Sequence, residues 1–84
     1  MKSVIIYSKA HCPYCDRAKQ LLEHKGASYD ELRVDLQPEL MQEMLARCEG
    51  RRTFPQIIIG EQPIGGFDDM WQLEQDGLLD QLLN

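Results

Sequence analysis

The sequence contains no apolar run long enough to cross a membrane, no internal repeat and no low-complexity segment. Its first apolar run, at 4–7, is too short for the apolar region of a signal peptide, and no small-residue cleavage site follows. Basic residues are also few, with 9 Lys and Arg against 14 Asp and Glu, and none lies between Gly60 and Asn84. A general nucleic-acid binder would show a basic face. We therefore expect a cytoplasmic protein that binds neither membranes nor nucleic acid.

Cysteine is scarce as well, with three residues in 84. Three cysteines do not make a disulfide framework, and the cytosol keeps thiols reduced. Cys12 and Cys15 have the C-x-x-C spacing that is typical of redox or metal sites. Cys48 falls on the apolar stripe of a predicted helix, which favours core packing as a small hydrophobic group, with a surface regulatory thiol as the alternative.

The remaining composition is that of a soluble globular protein, and the length predicts one domain over residues 1–84. The patterns predict strands at 4–7, 29–36, 57–59 and near 64, and helices at 13–25, from 38 and from 68 or 69. This βαβαββα order predicts an α/β fold with a four-stranded mixed sheet and helices on both faces. Asp68 or Asp69 is predicted to cap the last helix, and Trp71 with the leucines after it is predicted to lie in the core.

Cys12 lies where a predicted strand and loop turn into a predicted helix. The first N–H groups of a helix have no helical partner, and the helix dipole places partial positive charge beside them. Both effects favour a thiolate, and cysteine pKa values fall to roughly 3.5–7.5 in such motifs. Cys12 is therefore the predicted nucleophile. Cys15, one helical turn further on, is predicted to be more buried and to act as the resolving thiol.

Two other interpretations of the cysteine pair stay open. A zinc site would need two more ligands, and His11, His24 and Cys48 form no second paired motif. Two unrelated core cysteines would leave the intervening Pro-Tyr unexplained. A structural disulfide is disfavoured because the ring that it closes is too short to add much stability. The residues favour redox chemistry and predict no metal.

The strand, Cys12-Pro13-Tyr14-Cys15 and the helix behind them resemble the dithiol glutaredoxins of the short bacterial type. Two further blocks carry the resemblance: residues 52–57, RTFPQI, are similar to the family's T-V-P segment, and residues 64–69, IGGFDD, are similar to its I-G-G-x-D-D segment. The three blocks keep the family's order and separation. The resemblance therefore covers essentially the whole chain.

This resemblance implies a thioredoxin fold, with the four-stranded sheet flanked by three or more helices. It also implies a glutathione-dependent thiol–disulfide oxidoreductase in which glutathione is the reductant and co-substrate. Protein disulfides and glutathione mixed disulfides are the implied substrates of a monomeric enzyme, with ribonucleotide reductase as one candidate target. The implied glutathione-binding residues are Lys9, Tyr14, Gln42, Arg52, Thr53, Phe54, Pro55, Gly66, Phe67 and Asp68.

Phe54 stands where the family usually has valine, so we expect a narrower groove or a shifted substrate preference. Phe67 occupies a position that is often cysteine in relatives, so an accessory thiol is absent there. Structural interpretations compete at several of these positions, because Gly66 suits an ordinary turn and Lys9 and Arg52 suit a solvated surface.

Two further functions are alternatives to the glutathione-dependent enzyme. A thioredoxin-like redoxin reduced by a flavoprotein is disfavoured by the block at 64–69 and by the basic residues near Cys12. An iron–sulfur carrier, with its cluster held between two chains by Cys12 and glutathione, is disfavoured by Pro13 and Cys15.

Overall fold

Strand β1 supplies the centre of the fold because it is apolar on both faces. The computed structural model describes residues 1–84, and β1 pairs in parallel with β2 and antiparallel with β3, which in turn pairs antiparallel with β4. The sheet order is β2-β1-β3-β4, and its one parallel and two antiparallel pairings confirm the predicted four-stranded mixed sheet. The elements are β1 Val4–Ser8, α1 Pro13–His24, β2 Asp30–Arg33, α2 Leu40–Arg47, β3 Gln56–Ile59, β4 Gln62–Gly65, α3 Phe67–Gln75 and α4 Leu79–Leu83.

Alternation along β1 and β3 sends side chains into two separate apolar clusters, one on each sheet face. The larger cluster packs Ile6 and Ile57 against α1, α3 and α4. The smaller packs Tyr7 and Ile58 against α2, where Cys48 is 1% exposed. Core packing of Cys48 is thus confirmed, and burial raises the pKa of its thiol.

Polar contacts fix the helices against this sheet. The buried Tyr7 hydroxyl donates to Glu43 of α2 at 2.6 Å, and burial together with this bond raises the pKa of Tyr7 to about 12. Lys25, just beyond α1, pairs with Glu74 at 2.8 Å and Asp80 at 2.9 Å. The C-terminal helices are thereby held to the end of α1. None of the four helices combines the length and apolarity that a membrane crossing needs.

The second strand is shorter than the pattern at 29–36 predicts. Pairing continues only to the bond from Val34 N–H to Ser8 O, after which Leu36 N–H turns back to Arg33 O. Leu36 is consequently 68% exposed, so its predicted place in the strand is wrong. The second helix also begins later than predicted, at Leu40, with Pro38 in the preceding turn.

Two expectations about the last helix are also corrected. Asp68 does not cap it, since the helix begins at Phe67 with Gly66 as N-cap. Trp71 is not in the core but 45% exposed, because Met70 occupies the face turned to the sheet and each residue rotates about 100° around the axis. Leu78 is likewise exposed, whereas Leu79 and Leu83 are buried as predicted. The predicted interruption at Gly77 is confirmed.

Candidate active site

Cys12 is the N-cap of α1, as the sequence predicts. His11 before it takes a left-handed φ of 55°, which turns the loop after β1 into the helix. Pro13 occupies the first helical position, where no N–H is needed. The first helical bond runs from Asp16 N–H to Cys12 O at 3.1 Å. The local sequence therefore places the Cys12 sulfur at the positive end of α1.

Cys12 and Cys15 form a disulfide, with their Cα atoms 5.2 Å apart. The Cys12 sulfur also accepts the Cys15 backbone N–H at 3.2 Å, and this donor is one that stabilises a thiolate after reduction. Cys12 is 8% exposed and Cys15 is 1% exposed, which confirms that the second cysteine is the more buried. An incoming sulfur atom has better access to Cys12 than to Cys15. No group of three or more His, Cys, Asp and Glu side chains is arranged to hold a metal ion.

The loop before Cys12 is tied to the end of β2 by Asp35, a contact that the sequence analysis missed. Asp35 accepts the Ala10 backbone N–H at 3.2 Å and both Arg33 donors at 2.8 and 2.7 Å. The Arg33 guanidinium, with the Ala10 N–H, lowers the pKa of Asp35 to about 2. This ion pair fixes the loop relative to the parallel strand pair.

We predict that Asp35→Asn lowers stability at pH 6 and that most of this loss disappears as the pH falls to about 2. The pKa of Asp35 is about 2 in the folded protein, below the ordinary value of 3.8. The ionised carboxylate therefore stabilises the fold fully at pH values above 3.8. This contribution is lost as the pH falls through the folded-state pKa of about 2. Urea unfolding of the wild type and of Asp35→Asn, at pH values from 6 to 2, measures the difference between their unfolding midpoints. Asp30→Asn, at an exposed residue of β2 that makes no ion pair, is the matched control. A gap that stays constant with pH would contradict the assignment.

A groove of about 390 Å³ opens beside the cysteine pair, between the segment before β3 and the N-terminus of α3. The Phe54–Pro55 peptide bond in its wall is cis, as the resemblance implies. Gln56 supports this wall, because its buried amide donates to Thr53 O at 2.9 Å and to Thr53 Oγ1 at 3.1 Å. Of the predicted glutathione-binding residues, those that line the groove are Tyr14, Thr53, Phe54, Pro55, Gly66, Phe67 and Asp68.

Three other predicted residues do not line this groove. Lys9 is exposed, and its ammonium lies 5.3 Å from the centroid of the Phe54 ring, at the groove rim. Gln42 and Arg52 are exposed and lie outside the lining. Arg51 lines the groove instead, and the sequence analysis missed it because two adjacent arginines give no pattern that tells which one turns inward.

The N-terminus of α3 faces the groove with unsatisfied donors. Asp69 lines the groove and accepts the Gly66 N–H at 2.8 Å, so one of the two carboxylates predicted as caps does close this helix end. Asp69 supplies the half of a capping box in which the third helical residue accepts the N-cap N–H, and its spacing from Gly66 is the signal that favours Asp69 over Asp68. The backbone N–H groups of residues 67–69 have no helical acceptor, so this end of the groove suits a carboxylate.

Three aromatic rings run from the cysteine pair along α3. Tyr14, 50% exposed, has its ring centroid 6.2 Å from that of Phe67, and Phe67 stacks on Trp71 at 6.2 Å with 20° between the planes. The Arg17 guanidinium carbon lies 5.1 Å from the Tyr14 centroid. Tyr14 and Phe67 belong to the groove, whereas Trp71 lies beyond it.

The chain is similar to known proteins in both sequence and fold. The family model described as Glutaredoxin matches residues 4–64. The chain is similar to a glutaredoxin of Pseudomonas aeruginosa, with 54% identity over all of this chain and 99% of the relative. The solution structure of glutaredoxin from Brucella melitensis is also similar, with 53% identity, a TM-score of 0.84, and coverage of 99% of this chain and 89% of that one.

A third similar protein is a buckwheat glutaredoxin, whose crystal structure was solved as a complex with glutathione. It is 34% identical with a TM-score of 0.86, and the match covers 95% of this chain and 74% of that one. These likenesses confirm the thioredoxin fold implied by the three sequence blocks. They agree with a reactive disulfide at the N-terminus of α1 beside a polar groove. This chain therefore belongs to the glutaredoxin family of thiol–disulfide oxidoreductases.

Proposed function

We propose that this enzyme uses glutathione to reduce protein disulfides and glutathione mixed disulfides, with Cys12 as nucleophile and Cys15 as resolving thiol. The observation that carries the proposal is the juxtaposition of the Cys12–Cys15 disulfide at a helix N-terminus with the groove next to it. Tyr14 belongs to both, since it lies between the two cysteines and lines the groove. A tripeptide thiol bound in the groove has its sulfur close to Cys12.

The groove has the complementary groups that a charged tripeptide needs. The backbone next to Pro55 offers hydrogen bonds to an extended peptide, as in strand addition. The open N–H groups at the start of α3 suit the γ-glutamyl carboxylate, and the exposed Asp68 suits the neighbouring ammonium. Lys9 and Arg51 supply positive charge for the glycine carboxylate of glutathione. Arg51 thus joins Arg52 and Gln42 among the residues proposed to contact this carboxylate. The buckwheat relative solved with glutathione supports this assignment.

Deglutathionylation follows from one thiolate. The Cys12 thiolate attacks the glutathione sulfur of a mixed disulfide, forms a Cys12–glutathione disulfide and expels the substrate as a thiolate. A second glutathione thiolate then attacks the bound glutathione sulfur. Glutathione disulfide leaves, and the Cys12 thiolate is restored. Each mixed disulfide thus consumes one free glutathione, whose sulfur is oxidised as it joins the bound glutathione in glutathione disulfide, while the substrate sulfur leaves reduced.

Reduction of a protein disulfide uses both cysteines. Cys12 attacks one substrate sulfur to form a mixed disulfide and releases the other as a thiolate. Cys15 then attacks the Cys12 sulfur, which releases the reduced substrate and leaves the Cys12–Cys15 disulfide present in the structure. Two glutathione molecules reduce that disulfide. We further propose that the enzyme works as a cytoplasmic monomer, with ribonucleotide reductase as one candidate target.

The reductant is the direct test of this function. We expect wild-type protein to turn over a glutathione mixed disulfide when glutathione and glutathione reductase supply electrons, with NADPH oxidation as the readout. With thioredoxin reductase in place of the glutathione system, turnover is expected to stay at background. Cys12→Ser serves as the inactive control in both assays. Efficient turnover with thioredoxin reductase, and none with glutathione, would show that the chain is a thioredoxin-like redoxin that a flavoprotein reduces.

A further inference from the structure

The exposed ring of Trp71 is left unused by the proposed reaction. Trp71 lies on α3 beyond the groove, stacked on Phe67, with Asp68 one turn before it and Gln75 one turn after it. We call these four residues the Trp71 face. A tryptophan with nearly half of its surface in water, next to a reactive site, has the character of a binding contact. It is also the only tryptophan of the chain.

Cations lie over two other rings near the cysteine pair. Arg17 lies over Tyr14, and Lys9 lies over Phe54. No cation of the chain lies over the Trp71 ring. Residues 60–84 contain six acidic residues and no Lys or Arg, and Lys25, which reaches α3 from α1, is already paired with Glu74 and Asp80. Asp68 makes no ion pair. The Trp71 face therefore combines an open aromatic ring with unpaired negative charge, which is the surface that a guanidinium prefers.

The Trp71 face is also continuous with the reactive groove. The ring of Phe67 lines the groove and stacks on Trp71, and each step along Tyr14, Phe67 and Trp71 is 6.2 Å. An extended peptide advances about 3.3 Å per residue. A side chain about three to five residues from a cysteine under attack by Cys12 is therefore within reach of Trp71. Trp71 itself lies outside the lining of the groove in which glutathione is proposed to bind.

We propose that the Trp71 face binds an arginine of protein substrates, carried about three to five residues from the cysteine whose disulfide is reduced. This inference rests on the proposed function and names a class of substrate for it: polypeptides with basic flanks. The guanidinium stacks on Trp71 and pairs with Asp68. Small disulfides have no such side chain and do not engage Trp71. Trp71 is thus a specificity-determining residue and not a catalytic one.

Matched peptides test the proposal by turnover. Each peptide carries one disulfide between two of its own cysteines and, about four residues from the cysteine that Cys12 attacks, Arg, Gln or Glu. We expect kcat/KM for the Arg peptide to exceed that for the Gln peptide by about fivefold, since an open cation–π contact with a nearby carboxylate has roughly this effect. In Trp71→Leu the ratio should fall to about one, while kcat/KM for glutathione–cysteamine disulfide changes less than twofold. Trp71→Tyr, which keeps a ring, and Leu78→Ala, which removes another exposed apolar side chain, should retain the preference.

Equal turnover of the Arg and Gln peptides by wild type would overturn the proposal, and so would a preference that survives in Trp71→Leu. Absence of turnover for every substrate, including the small disulfide, would instead overturn the proposed function. The docking proposal is then decided by a measurement that needs no turnover. In Cys15→Ser, each peptide is linked to Cys12 by a disulfide, and the emission of the sole tryptophan is recorded.

The adduct with the Arg peptide is expected to change Trp71 emission relative to the Gln adduct, and about 0.5 M salt should reduce the difference by screening. The Glu adduct should resemble the Gln adduct or move further from the Arg one. Identical emission from the Arg and Gln adducts would overturn docking at Trp71, whatever the kinetics show.

Discussion

Cys12→Ser is expected to lose more than about 10³-fold in turnover of glutathione mixed disulfides and of protein disulfides alike. A serine hydroxyl at neutral pH is neither ionised nor able to form the disulfide on which both routes depend. Cys15→Ser is expected to behave differently, because Cys15 is almost fully buried and enters only the second route. It should keep deglutathionylation within about threefold of wild type and lose at least about 100-fold with a protein disulfide.

Both variants are assayed with glutathione and glutathione reductase on one mixed disulfide and one disulfide-bonded peptide. Serine is close to cysteine in size, so each variant should unfold near the temperature of the reduced wild type, which serves as the folding control. If Cys15→Ser were as inactive as Cys12→Ser on the mixed disulfide, the division of roles between the two cysteines would be wrong.

Gly65→Ala is expected to lower the free energy of unfolding by about 3 kcal/mol and to raise KM for glutathione. Gly65 has a φ of 114°, a conformation that side chains rarely adopt. An added Cβ would also collide with the carboxylate of Asp69 and the guanidinium of Arg51. Moving Asp69 breaks its bond to the Gly66 N–H, so the start of α3 is disturbed at the point where the groove needs it.

Gly77→Ala provides the control for backbone strain alone. Gly77 has a φ of 74°, and nothing lies within 4 Å of an added Cβ, so its replacement should cost about 1 kcal/mol and leave KM unchanged. Urea unfolding gives both free energies, and steady-state kinetics with varied glutathione gives KM. Equal destabilisation by the two substitutions would contradict the role assigned to the crowding at Gly65.

The order of elements along the chain and the reactive pair were predictable because both depend on local patterns. Buried β-branched runs predict β1 and β3, and Cys12 with Pro13 at a helix start predicts where the sulfur lies. The direction of single side chains was less predictable. Trp71 is large and apolar, yet its position relative to Met70 turns it outward. One residue of helical rotation, which composition does not reveal, decides between core and surface.

Contacts between distant segments were the other part that the sequence could not supply. Asp35 reaches Ala10 across 25 positions, and no short-range pattern announces such a bond. The choice between Arg51 and Arg52 likewise depends on how the segment before β3 meets α3. The contact between Gly66 and Asp69 is local, and its three-residue spacing is enough to indicate which carboxylate closes the start of α3.

Because Cys48 is buried, Cys12 and Cys15 are the two cysteines of the folded chain that can be oxidised to a disulfide. The Cys48 thiol lies among Tyr7, Met44 and Ile58 on the sheet face covered by α2, whereas Cys12 and Cys15 lie at the start of α1. It cannot exchange with either reactive cysteine while the fold is intact. The protein therefore carries a single electron pair per chain, and its oxidised form has one internal disulfide, with no alternative pairing to correct.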